Sequence, residues 1–521
     1  MIYTLVHTVL QSAALFPNKV AFTDGTKSLT YHALRNSMNQ LASQLIELGV
    51  TKGDRVGVYL NRGLETSIAI YGIMRAGAIY VPLDSKAPAA LTRFLIKDCG
   101  IKVLITNASQ RKNVSTLVSE PNILETIIGV SSNSSIPSIS WEQVANQSVE
   151  FKADIVLLED DPAYIIYTSG STGSPKGIVH SHRSGLSYAQ LTADLYEITQ
   201  HDKIANHAPV FFDISLLGYF TSPLVGATTL IIPDAYIALP ASLSALIEKQ
   251  KLTIWYSVPL ALSQLLQSGV LEERKIDSLR WVLYAGEAFP PKYLRALMLT
   301  WPHARFSNIY GPAETNQCTY YHLPAPPTTD EPIPIGQVWG NTEMLILDEN
   351  DATTKQGEDG ELLIRSVTTM MGYWNNIALT EKSMYTRIGN QGFEEKFYRT
   401  GDIVRLDEKN VLHFLGRKDN QVKIRGYRVE LDSIEASLVS NPLVSEAAVF
   451  TVQKNESALA LQAVVVLHEQ IETSAKELLD YLKAQIPFYA IPEQISILKD
   501  FPRTGSGKIN RQAIKSVLLN E

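Results

Sequence analysis

The residues best placed to do chemistry lie in one stretch, Tyr164 to Gly177, YIIYTSGSTGSPKG. An apolar run, Ala163 to Tyr167, breaks into hydroxyls and glycines at Thr168, Ser169, Gly170, Ser171, Thr172 and Gly173, and Lys176 follows Pro175. Glycines permit tight turns that aim several backbone N–H groups at one anion. The hydroxyls add donors and Lys176 adds a mobile positive charge, so the string has the chemistry of a polyphosphate cradle. It is not a Walker loop, which needs a glycine directly before its lysine and a Ser or Thr directly after it. Gly/Ser-rich loops are often plain solvent turns; an ordered string directly behind a buried strand is a different case.

Four further strings carry reactive groups. NIYGPAET, Asn308 to Thr315, puts a turn at Gly311 and Pro312 after a strand and sets one acid, Glu314, beyond it. One carboxylate beside phosphate oxygens suits Mg²⁺. YRTGD places Asp402 behind a tight turn, where it can accept from two neighbouring ribose hydroxyls. GRKDNQVKIRGYR sets five cations, Arg417, Lys418, Lys423, Arg425 and Arg428, against Asp419. Such a run is either a solvated face or a segment serving two anionic states. PRTGSGKINR carries Lys508 on a glycine-rich turn near Glu521.

These groups need a scaffold to bring them together. The chain has 521 residues, too many for one core, so two or more domains are expected. A net charge of −7 argues against a nucleic-acid partner. Two cysteines, Cys99 and Cys318, make no disulfide framework and fit a reducing cytosol, so the expected location is cytoplasmic. No apolar run reaches membrane-span length. The N-terminus reads as an amphipathic helix ending before Pro17. Leu34, Met38, Leu41, Leu45 and Leu48 recur at helical spacing before Gly49. Strands are expected at 55–60, 78–83, 102–106, 163–167, 228–232, 252–258, 279–285 and 305–310, and helices at 68–74 and 186–197. Residues 130–147 read as a surface loop. The alternation predicts an α/β fold with a doubly wound parallel sheet. Ligands bind at the carboxyl ends of such strands, so the ends at Tyr167, Val258, Ala285 and Tyr310 are candidates for one site. From about Thr342 short strands predict a small β layer. Beyond Lys418, a capping box at Ser474 and Glu477 and the strands 446–451 and 459–467 predict a compact α+β domain. The expected domains are 1–418 and 419–521.

In this order and at these distances the strings resemble the adenylate-forming superfamily, which includes nonribosomal-peptide adenylation domains, acyl-CoA synthetases and luciferases. The resemblance runs from Leu29-Thr30-Tyr31 to Lys508. It implies a large N-terminal domain, a small mobile C-terminal domain, ATP and Mg²⁺ as cofactors, and two half-reactions. A carboxylate first attacks the α-phosphorus of ATP to give an acyl-adenylate; a thiol then displaces AMP to give a thioester. The resemblance further implies that Thr168 to Lys176 hold the β- and γ-phosphates and that Glu314 binds Mg²⁺. Asn308 and Tyr310 position adenine with Gly286, Glu287 and Gly311, Asp402 holds ribose, and Arg417 lies near ribose and phosphate. Lys508 is the catalytic cation, Asp419 the hinge, and Lys423 to Gly426 the segment that serves thioester formation. Ala313 stands where many members carry Thr, and Thr315 is a candidate replacement for the lost hydroxyl.

HAPVFFDISLLGYF, His207 to Phe220, resembles the start of the acyl pocket. Asp213 then stands where amino-acid-activating members pair with the substrate ammonium, a partner that a buried cation needs. The other reading is that Asp213 caps a local turn. By resemblance the rest of the pocket is Phe212, Ile214, Leu217, Ser257, Leu283, Ala285, Ile309, Gln317 and Cys318. None is charged, so a small to medium neutral amino acid is expected. EAFPPKYLRAL and YGPAETNQCTYYHL look most like free-standing prolyl-carrier-protein ligases, with D-alanyl-carrier-protein ligases the nearest rival. An acyl-CoA ligase for a non-amino acid is a further alternative. No carrier segment follows Glu521, so a phosphopantetheinylated carrier protein is expected in trans.

Overall fold

The computed structural model describes residues 2–130, 136–170, 174–389, 392–455, 458–468, 473–503, 511 and 513–514. By contact density the chain divides into two compact units. One comprises Met1–Ser85, Leu95–Tyr167 and Gly177–Lys418; the other comprises Lys86–Phe94, Thr168–Lys176 and Asp419–Glu521.

Among the described residues the first unit is built on two large sheets and a smaller one. The nine-stranded sheet runs, in spatial order, Gln337–Val338, Thr319–His322, Arg305–Tyr310, Trp281–Ala285, Ile254–Ser257, Lys203–Asn206, Thr228–Ile231, Val20–Thr23 and Ser28–Thr30. Its six central strands are parallel and the outer ones antiparallel. The eight-stranded sheet runs Gly372–Tyr373, Lys176–Ser181, Pro162–Thr168, Ile79–Pro82, Arg55–Val58, Val103–Ile105, Thr126–Ile128 and Ser138–Ile139. The central strands read as short apolar runs because helices cover both faces, leaving no solvent face to encode. The α/β expectation therefore holds. The strand Lys203–Asn206, KIAN, is too short and too polar to be read from sequence, yet it lies mid-sheet with Ile204, Ala205 and Asn206 buried.

Helices follow their signals. Thr30 caps Tyr31–Glu47 by accepting from the Ala33 N–H at 3.2 Å, and Leu34, Met38, Leu41 and Leu45 are buried along one stripe. Each such Leu adds about 1.5–3 kcal/mol relative to leaving it in water. The expectation of a loop over 130–147 needs correction. Ser140 and Gln143 form a capping box that starts the helix Trp141–Ala145, behind the short strand Ser138–Ile139. The signal, Ser followed three residues on by Gln, was present in the sequence. No helix among the described residues is long and apolar enough to cross a membrane.

The smaller sheet joins Thr342–Leu347, Asp359–Ser366, Glu394–Leu406, Met384–Ile388 and Leu412–Arg417. In the second unit, the hairpin Gln421–Ile424/Tyr427–Glu430 precedes the helix Leu431–Val439. A three-stranded sheet, Val444–Asn455, Ala458–Leu467 and Gln494–Leu498, packs with the helix Ala475–Lys483. Ile434, Leu438, Val465, Leu478 and Leu482 form its core, and the Ser474/Glu477 capping box is present.

Candidate active site

The cradle string occupies the connection between two neighbouring strands, Pro162–Thr168 and Lys176–Ser181. Ala163 to Ile166 are buried, which fixes the strand before the glycines begin. A Cβ on Gly170 would come 2.1 Å from the Ser174 carbonyl oxygen, so the turn requires glycine. The Thr168 hydroxyl is buried with no hydrogen-bond partner among the described residues. Ser169 follows it in the same connection and Lys176 opens the next strand. Ser171, Thr172 and Gly173 lie outside the described residues, as does Lys508.

Glu314 sits in a single turn, Ala313–Thr315, behind the strand Arg305–Tyr310 and Gly311. It is fully buried, and the Tyr373 hydroxyl donates to its Oε1 at 2.7 Å. His180 Nε2 donates to the Ala313 carbonyl at 2.9 Å. Burial lowers His180 to about 4, so it is a neutral prop rather than a proton carrier near neutrality. The Thr315 hydroxyl turns back to donate to the Pro312 carbonyl at 3.2 Å. Among the described residues no group of three or more His, Cys, Asp or Glu could hold a metal. A metal at Glu314 would thus draw most of its ligands from phosphate and water, as Mg²⁺ does; the residues present fit that ion.

Tyr310, Asp402 and Arg417 form one node. The Tyr310 hydroxyl donates to Asp402 Oδ2, and Arg417 Nη1 donates to Oδ1 at 2.5 Å and to the Thr400 carbonyl at 3.2 Å. The Asp402 and Arg417 side chains are only 7% and 13% exposed. Burial first, then the Asp402 charge, raise the Tyr310 hydroxyl well above its usual range, so it remains a donor. Asn308 Nδ2 donates to the Pro334 carbonyl at 2.8 Å. Gly286 turns the chain at φ +96° after Trp281–Ala285, and Glu287, half-buried, follows.

Ile214, Leu217, Leu283, Ala285 and Ile309 pack in one apolar cluster, with Phe212 and Val258 half-buried against it. Asp213 begins a one-turn helix, Asp213–Ser215, and its Oδ1 accepts from the Ile214 N–H at 2.9 Å. The local cap is therefore real. The carboxylate also faces tyrosines: burial and then the Asp213 charge raise the Tyr188 hydroxyl well above its usual range. The same charge contributes at Tyr256 and Tyr164.

One pocket assignment is corrected by strand geometry. Tyr256 pairs with Leu283 and lies in the pocket cluster, whereas Ser257 pairs with Tyr284 on the opposite face. Ser257 accepts from the Trp255 indole N–H at 2.8 Å and donates to the Val258 carbonyl at 3.0 Å. Tyr256, not Ser257, shares the face of the Leu283 cluster, because alternate side chains point to opposite faces. Cys318 packs with Tyr310, Ile335, Leu362 and Val404, and its Sγ lies 3.7 Å from the Tyr310 carbonyl. Gln317 does reach the cluster: its Nε2 donates to the Tyr256 hydroxyl. The strand ends expected to share a site divide likewise. Those at Val258, Ala285 and Tyr310 belong to neighbouring strands of one sheet, while Tyr167 belongs to the other sheet.

In the second unit Asp419 Oδ1 accepts from the Gln421 N–H at 3.2 Å. Lys423 pairs with Arg428 across the hairpin, and Arg425 and Gly426 turn it with φ of +54° and +81°. Two positive φ values are the signature of a two-residue hairpin turn, which Gly meets without strain.

Residues 9–374 match the AMP-binding enzyme family and residues 433–508 match the AMP-binding enzyme C-terminal domain. An L-proline–L-prolyl-carrier-protein ligase of Pseudomonas fluorescens is 31% identical over 507 residues, 97% of each chain. A ligase of the same name from Streptomyces coelicolor is 33% identical over 93% of this chain and 91% of its own. The adenylation domain AlmE of Vibrio cholerae, solved with glycyl-adenosine-5'-phosphate, shares the fold with a TM-score of 0.85 at 24% identity. That likeness covers 100% of this chain and 98% of the other.

Proposed function

The chain belongs to the AMP-binding enzyme family, and on that premise we propose that it activates a small neutral amino acid, L-proline on the best reading. ATP drives formation of the aminoacyl-adenylate, and the aminoacyl group then passes to the phosphopantetheine thiol of a separate carrier protein. The observation that carries this reading is likeness along nearly the whole chain to two ligases named for prolyl-carrier protein.

Residues 168–176 hold the β- and γ-phosphates, with the Thr168 hydroxyl, which has no partner among the described residues, as one donor. Asp402, held by Arg417 and Tyr310, accepts from the ribose hydroxyls. Adenine lies by Asn308 and Gly286. Glu314 holds Mg²⁺, which supplies charge neutralisation on the phosphates when bound. Asp213 pairs with the substrate ammonium, and the cluster around Leu283, Ile309 and Tyr256 takes the side chain. The substrate carboxylate attacks the α-phosphorus and pyrophosphate leaves. Attack brings two anions together, and Lys508 relieves that repulsion, so catalysis is positioning plus electrostatics. For the second half-reaction, 419–521 turns about Asp419 and presents Lys423 to Gly426.

The test is amino-acid-dependent exchange of pyrophosphate into ATP across a substrate panel, followed by loading of a carrier protein. Proline should give the fastest exchange. A preference for D-alanine would move the substrate assignment, and exchange with a plain carboxylic acid alone would refute amino-acid activation.

A further inference from the structure

Both ends of the 168–176 connection are tied to one point on a third element. Asp98 lies in the last turn of the helix Ala89–Cys99. The Tyr167 hydroxyl donates to Asp98 Oδ2 at 2.5 Å, and Tyr167 is the residue directly before Thr168. The Asp98 backbone carbonyl accepts from Trp374 Nε1 at 3.1 Å and Asn375 Nδ2 at 3.2 Å. Trp374 in turn donates its backbone N–H to the carbonyl of Gly177, the residue directly after Lys176, at 2.8 Å. It follows the strand Gly372–Tyr373, which pairs with Val179 and Ile178.

The fit leaves little slack. A Cβ on Gly177 would sit 2.9 Å from Ile165 Cγ2, 3.0 Å from Tyr167 Cζ and 3.1 Å from Trp374 Cβ. The Arg55 guanidinium lies 5.0 Å over the Trp374 ring, and its Nε donates to the Cys99 carbonyl at 2.7 Å. Burial raises the Tyr167 hydroxyl far above its ordinary range, so it stays a proton donor to the carboxylate. The strand entering the cradle and the strand leaving it are thus clamped to the end of one helix by groups that are not part of the cradle.

We propose that Asp98, Tyr167 and Trp374 are positioning residues for the ATP polyphosphate. The brace fixes Tyr167 and Gly177, the residues on either side of the connection, before the nucleotide arrives, and pre-organisation of that kind lowers the ordering cost of binding. The proposal rests on the reading of 168–176 as the phosphate cradle. It predicts an effect that depends on the β- and γ-phosphates rather than on the nucleoside.

The experiment measures binding of ATP, pyrophosphate and AMP by calorimetry to the full chain and to Tyr167→Phe, Asp98→Ala and Asp98→Asn, with thermal melting of each. Tyr167→Phe and Asp98→Ala should weaken ATP and pyrophosphate by about tenfold, the scale of one hydrogen bond to a charged group. AMP affinity should stay within about twofold of the parent. Asp98→Asn keeps an acceptor for Tyr167 and should recover most of the loss. Equal weakening of ATP and AMP would reduce the brace to general fold support and overturn the proposal, as would unchanged ATP binding in both disruptive variants. Parent protein that binds ATP no tighter than AMP would overturn the cradle reading itself, and the proposal with it. That failure shows in the parent alone, whereas failure of the brace shows only in the variants.

Discussion

Replacing Asp213 by asparagine separates the charge of this carboxylate from its hydrogen bond. Oδ1 accepts from the Ile214 N–H at 2.9 Å, and an amide oxygen can keep that bond while the charge disappears. The Asp213→Asn protein should therefore melt close to the parent. Asp213→Ala loses the acceptor as well and should be less stable by about 1 kcal/mol, the net value of an ordinary intramolecular hydrogen bond. Activity should not follow stability. A substrate ammonium beside the apolar cluster of Ile214, Leu283 and Ile309 loses its counter-charge in both variants. Removing one partner of a desolvated charge pair costs about 2–5 kcal/mol, or roughly 30-fold to several-thousand-fold in kcat/KM at about 1.4 kcal/mol per tenfold. The KM for ATP should not move, because the variants leave in place the Arg417 and Tyr310 hydrogen bonds that hold Asp402 for the ribose. The assay is amino-acid-dependent pyrophosphate exchange, run as a function of amino acid and then of ATP. An Asp213→Asn variant within about threefold of the parent would sink the ammonium assignment and leave Asp213 as a turn cap; so would an ATP KM that rises in step with the amino-acid KM.

Arg417→Met leaves the buried Asp402 carboxylate without its cation and should destabilise the protein by about 3–5 kcal/mol in denaturant titration; a loss under about 1 kcal/mol would show that the pair is worth little. His180 and His182 are both buried and both lowered to about 4 from 6.5. The folded state then binds fewer protons than the unfolded state between those values, so their stabilisation is full above about pH 6.5 and is lost as pH falls toward 4. Each histidine should contribute a slope of up to about 1.4 kcal/mol per pH unit, which His180→Gln should reduce; a flat stability profile across that window would contradict it. Lys508→Ala should slow adenylation by roughly 10²–10³ while thioester formation from supplied aminoacyl-adenylate is far less affected; an equal fall in both half-reactions would refute an alternating role for Lys508.

The strings that mark this chain as adenylate-forming were readable because each is a local matter. A glycine-rich connection behind a buried strand, a turn ending in one acid, and a capping box are specified by consecutive residues and their backbone preferences. The parallel strands were readable for a related reason: burial on both faces writes them as apolar runs. What sequence could not decide was which side chains meet. Tyr373 serves Glu314 from 59 residues away and Tyr310 serves Asp402 from 92; no local pattern encodes either pairing. Nor could the strand IWYS say whether Tyr256 or Ser257 enters the pocket. Successive strand residues face opposite ways, so a shift of one position exchanges core for pocket. Only the register against Leu283 and Tyr284 makes that choice. Adjacent residues part in the same way after Glu314: Gln317 turns to Tyr256, while Cys318 packs against Ile335, Leu362 and Val404. Residue types and their order determined the chemistry; sheet order and register decided which of those residues share a site, because only they bring distant backbone positions together.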